Sequence, residues 1–155
     1  LLALPAGAQA QAVFQRPDCP AVDAVHSVEA RCLRDVRKRW QQENFDALQK
    51  TGLMFVHMGR PEIDQHPAAK AAIENKIEGS FTVRFSVAPD GTVYNVSTVD
   101  VTAGIEPLAK MWAETIGQWT FVKPGKAVAD VEYRRIYLYA RDDEADSHKK
   151  PQATL

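Results

Sequence analysis

The sequence predicts an α+β fold in which a strand hairpin is flanked by helices and followed by a third strand, the whole preceded by a helical N-terminal segment. Three observations predict it. From Phe81 to Val87 apolar and polar residues alternate with a period of two, as in a half-buried strand. Pro89-Asp90-Gly91 then supplies a tight turn, and the β-branched run from Thr92 to Val101 reads as the returning strand. On either side lie Pro67 to Lys76, made of strong helix formers, and Leu108 to Trp119, apolar at helical spacing.

Length and charge bound the function classes. With 155 residues, 45% hydrophobic and 25% charged, the chain can bury one modest core. A net charge of −1 and a pI near 6.5 exert no pull toward DNA, RNA or an anionic membrane surface, so nucleic acid is not an expected partner.

Residues 1–12 read as the remnant of a secretory signal peptide, with a short apolar run followed by small residues at Ala-x-Ala spacing and cleavage expected after Ala10 or Ala12. This leads to a periplasmic expectation, with a membrane anchor as the alternative, since Gln9 and Gln11 interrupt the apolar run that a spanning helix needs. Cys19 and Cys32 are the only cysteines, and an even count behind an export signal predicts one disulfide. They have neither Cys-x-x-Cys spacing nor a suitably placed His, so neither a redox pair nor a zinc site is expected.

Residues 13–65 form the expected helical N-terminal segment. Val25, Val28, Cys32, Val36 and Trp40 recur at steps of three or four and mark a buried face, while Glu29, Arg31, Arg34, Arg37 and Lys38 mark a solvated one. A second helical pattern, Phe45, Leu48 and Leu53 to Val56, follows Asn44 as a plausible N-cap, and Gly59-Arg60-Pro61 breaks it. Pro67 opens the next helix and Gly79 closes that segment. Imperfect alternation around Val96 and Val99 marks a bulge in the returning strand. Leu108, Ala109, Trp112, Ile116 and Trp119 share one helical face, and Phe121 with Pro124-Gly125 ends that helix. Val128 to Ala140 is the last strand, with Val131, Tyr133, Tyr137 and Tyr139 on one side and Ile136 and Leu138 on the other; the pattern leaves its orientation open. Residues 141–155 carry almost no apolar content and read as a disordered tail.

The order from His66 to Ala140 resembles the TonB C-terminal domain family. The resemblance rests on Pro67 opening the helix, Ile77-Glu78-Gly79 entering the first strand, Pro89-Asp90-Gly91 in the hairpin and Asn95-Val96 in the second strand. Trp119-Thr120-Phe121 before Pro124-Gly125 completes it. It covers residues 66–140 and implies two helices packed on one face of a three-stranded antiparallel sheet. It also implies a periplasmic protein-binding module that captures a partner segment by strand addition, with an envelope or outer-membrane protein as partner and an edge-to-edge homodimer as the alternative. In the family the final strand is the receiving edge, which places Val131, Tyr133, Arg135, Tyr137 and Tyr139 at the site. The helical, disulfide-tied N-terminal segment fits a standalone relative better than an energy transducer with its Pro-rich spacer.

Chemistry-bearing constellations are not found in the sequence. His26, His57, His66 and His148 lack metal-ligand spacing, although His57 and His66 flank one loop, and no nucleophile elbow, phosphate loop or dinucleotide fingerprint occurs. No catalytic residue, cofactor or metal is expected, and a small-ligand or hydrolytic protein with its site between the N-terminal helices and the sheet is the contrasting class.

Overall fold

Why a helix built on so polar a sequence should be stable is answered by what it leans on. The computed structural model describes residues 14–20 and 26–141; the expected leader and the polar tail beyond Arg141 lie outside the described residues. Helix α1 runs unbroken through His26–Thr51, and its seam is Glu29, Leu33, Val36, Trp40, Asn44 and Leu48, at helical spacing. Two of these six are polar, which hid the seam in the sequence. Glu29, expected on the solvated side, is fully buried. Asn44, expected to cap a second helix, is buried in mid-helix and its amide bonds the last strand instead. Gly52, at φ +76°, ends α1, and Leu53 to Val56 leaves the helix for the short strand β1, Phe55–His57.

After a single 3-10 turn at Ile63–Gln65, helix α2 spans Pro67–Glu74, with Pro67 in the first turn where its missing N–H costs nothing. Lys76, at φ +52°, turns the chain out of this helix. Gly79, which follows the helical segment, opens strand β2, Gly79–Val87, as Ile77-Glu78-Gly79 entering the first strand implied. A Cβ there would lie 2.8 Å from the Thr102 side chain, so the glycine is required by a close approach. Strand β3 is Val93–Val99, and Gly91 at φ +92° makes the hairpin turn, where a Cβ would collide with the Phe121 carbonyl. The expected bulge is present. The register slips between Arg84 and Ser86, whose partners are Ser97 and Tyr94, and Asn95 takes a positive φ of 52°.

Helix α3, Glu106–Ile116, is shorter than the apolar spacing predicted. Trp119 stands beyond it, in the turn leading to strand β4, Thr120–Phe121, and β5 follows at Val128–Tyr137. The architecture is α+β with two small antiparallel sheets: β3-β2-β5, and a ribbon of β1 with β4.

The faces of the larger sheet are unequal. Phe81, Val83, Phe85 and Val87 of β2 and Val131 and Tyr133 of β5 join Leu108, Met111, Trp112 and Ile116 of α3 in the main core. Trp119 is buried there, edge-on to Phe85 and Tyr133, and Phe55 bridges it to Phe121 at 5.3 and 4.6 Å. Ile136 and Leu138 turn the other way, into a second core with Leu33, Val36 and Cys19. Strand orientation, left open by the sequence, is settled by this division.

Cys19 and Cys32 form a disulfide, with Cα atoms 5.7 Å apart, as their count and the export reading predicted. Among the described residues no helix is long and apolar enough to cross a membrane.

Candidate functional site

The two free edges of the larger sheet differ in what covers them. At β5 the cover is α1. Asn44 Nδ2 donates to the Arg134 carbonyl at 2.8 Å, while the Arg134 N–H donates to Asn44 Oδ1 at 2.9 Å, so one side-chain amide stands in for a neighbouring strand. Arg37 donates to the Leu138 carbonyl at 3.1 Å, and the Arg134 guanidinium lies 4.0 Å from the centroid of the Trp40 ring. Antiparallel pairs alternate between bonded and unbonded. Because Arg134 spends both backbone groups on Asn44, its partner position Thr82 is an unbonded pair, and Val131, Tyr133, Arg135 and Tyr137 face β2 with theirs.

The sequence-predicted site residues therefore stand as follows. Val131 and Tyr133 are buried in the main core, and their backbone groups belong to the β2 ladder. Arg135 and Tyr137 are half-buried on the same strand, and Tyr139 lies beyond its end. The outward-facing groups of β5 belong to Arg134 and its even-numbered neighbours, of which α1 bonds both groups of Arg134 and, just beyond the strand, the Leu138 carbonyl. Tyr139 has a buried hydroxyl without a partner among the described residues; burial, followed by Tyr137 and Glu78 nearby, pushes its pKa above the usual phenol value, opposed by Arg37. Its N–H donates to Glu78 Oε2 at 2.9 Å and its carbonyl accepts from Arg16.

Among the described residues nothing covers the β3 edge in this way. Since Phe81, Val83 and Phe85 face β5, Thr82 and Arg84 bond Val99 and Ser97 on the other side, which leaves Val96 and Thr98 pointing outward. No described residue forms a hydrogen bond to their outer backbone groups. Beside them a cavity of about 570 Å³ is lined by Val96 and Thr98 of β3, Pro107, Ala109 and Ala113 of α3, and Ala68 of α2. Glu106 and Lys110 stand at it as the charged members. Small side chains on α3 make this space; the sequence signal was Ala109 and Ala113, four residues apart on one helical face.

His57 and His66 line a common cavity of about 340 Å³ with Trp119, and His66 Nδ1 lies 3.6 Å from Glu114 Oε2. Among the described residues no group of three or more His, Cys, Asp or Glu could hold a metal ion. A third cavity, of about 520 Å³, lies between α1, the Met58 to Ile63 loop and β5, and contains Arg135.

No protein-family model and no curated protein matches the chain.

Proposed function

We propose that this chain is a periplasmic protein-binding module, akin to the TonB C-terminal domain, that captures an extended segment of an envelope partner by strand addition at the outer edge of β3. The observation that carries the reading is the pairing of unbonded outward groups at Val96 and Thr98 with an apolar groove directly beside them. Backbone bonds would supply affinity, and alternate apolar side chains of the incoming strand would enter between Val96 and Ala113. An uncovered edge is an aggregation hazard that proteins cover, charge or use. The β5 edge is covered by α1, so strand addition there would first require Asn44 and Arg37 to be displaced. Among the described residues, none would have to be displaced for binding at β3.

The test compares capture of envelope proteins by the wild type, Thr98→Pro and Arg134→Pro, after circular dichroism has verified each fold. Thr98→Pro removes an outward donor and should lose the partner, whereas Arg134→Pro should retain it. Retention by Thr98→Pro with loss by Arg134→Pro would transfer the site to β5. Sedimentation at several concentrations separates a partner protein from self-pairing of two β3 edges.

A further inference from the structure

Arg135 is a charged side chain in a cavity of mixed polar and apolar lining. Its guanidinium carbon lies 4.4 Å from the centroid of the Trp112 ring and 5.8 Å from that of Tyr137. The Nε donor is buried with no hydrogen-bond partner among the described residues. The Trp112 ring is fixed in turn, since its Nε1 donates to the Tyr137 hydroxyl at 2.8 Å. The surrounding cavity of about 520 Å³ falls in the range of small-molecule sites. Its walls include Met58, Ile63, Ile73 and Met111, with the exposed Phe45 of α1 among the lining. Arg60 is a second cation there, and no carboxylate is present among the described lining residues.

A buried guanidinium donor is costly to leave unmade, and ring stacking satisfies the face of the group but not its N–H fork. The planar fork of Arg135 matches a carboxylate in geometry, and Arg60 at the same cavity adds to the positive charge that would hold an anion. The apolar part of the wall, at Ile63, Ile73 and Met111, calls for an apolar body to match. We infer that this cavity binds a small amphiphilic carboxylate of the medium-chain fatty-acid class, its head on Arg135 and its chain against Ile63, Ile73 and Met111. The site lies at β5 and is separate from the β3 edge, so it stands or falls independently of the strand-addition reading.

Decanoate, decanol and decyltrimethylammonium, each below its micelle concentration, are titrated into the full chain by calorimetry. Decanoate should bind, with decanol about ten-fold or more weaker and the cation weaker still. Arg135→Met should erase the preference for decanoate over decanol, and Arg135→Lys should retain part of it. Ile73→Trp, which fills the cavity and leaves Arg135 in place, should block both ligands and serves as a second variant should Arg135→Met unfold. The inference is overturned if decanoate does not bind, if decanol binds as tightly, or if a folded Arg135→Met or Ile73→Trp protein binds decanoate like the wild type.

Discussion

Asn44 and Arg134, ninety positions apart, exchange two hydrogen bonds of 2.8 and 2.9 Å, the side-chain amide of one matching the backbone of the other as a strand would. Through this exchange α1 belongs to the sheet edge and does not merely rest on it. Asn44→Ala should cost roughly 1–3 kcal/mol, because a donor and an acceptor lose their partners together. Asn44→Asp keeps the acceptor for the Arg134 N–H but offers no donor to the carbonyl, and should fall between. Urea unfolding of the three proteins measures the order; equal midpoints would mean that water replaces the amide at no cost.

The Cys19–Cys32 bridge closes a loop of thirteen positions beside Leu33 and Val36. Reduction, or replacement of both cysteines by Ser, should lower stability by about 3 kcal/mol in the chain-entropy description. Thermal unfolding with and without reductant provides the comparison. An unchanged midpoint would show that the N-terminal segment contributes nothing to cooperative unfolding.

Trp119 fills the junction of both sheets, and its Nε1 donates to the Gly59 carbonyl at 2.8 Å. Trp119→Ala should cost about 3–5 kcal/mol, whereas Trp119→Phe should lose the hydrogen bond and only part of the volume. The two variants, compared by denaturant midpoint, separate packing from bonding. Equal losses would assign the effect to the Gly59 bond.

Asp90 receives the Thr92 hydroxyl at 2.7 Å and the Thr92 N–H at 3.0 Å, and these bonds hold its carboxyl below the usual range. The folded pKa lies below the unfolded value of about 3.9, so the hairpin's gain is present above that pH and is lost as pH falls through the folded pKa. The stability difference between wild type and Asp90→Asn should therefore shrink below about pH 4. A difference independent of pH would remove the ionised carboxylate from the account.

Local chemistry was legible in the sequence, and long-range pairing was not. The alternation from Phe81 to Val87, the Pro89-Asp90-Gly91 turn and the helix-opening Pro67 each depend on neighbours a few residues away, and each has its expected place. Asn44 was misread because an Asn before an apolar pattern has the composition of a helix cap, while its true partner is far along the chain. Glu29 was assigned to solvent for the same reason: Arg16 and the Arg141 N–H, its partners at 2.7 and 3.2 Å, are remote in sequence. Strands as short as β1 and β4 carry no periodic signal at all. At the candidate site, the tyrosine stripe of β5 was recognised as a unit, but alternation alone could not say that Tyr133 points into the core while the edge belongs to Arg134.

The contact between α1 and β5 also sets an order of arrival. In a chain emerging from its amino end, α1 forms first and its polar-studded seam has nowhere to dock until residues 128–141 appear. Such distant closure slows folding and leaves apolar surface open in the interval. A chain ending at Gly125 should accordingly expose Leu33 and Val36 and bind a hydrophobic dye that the full chain excludes. Strand β5, emerging long after α1, acts as the latch for that helix.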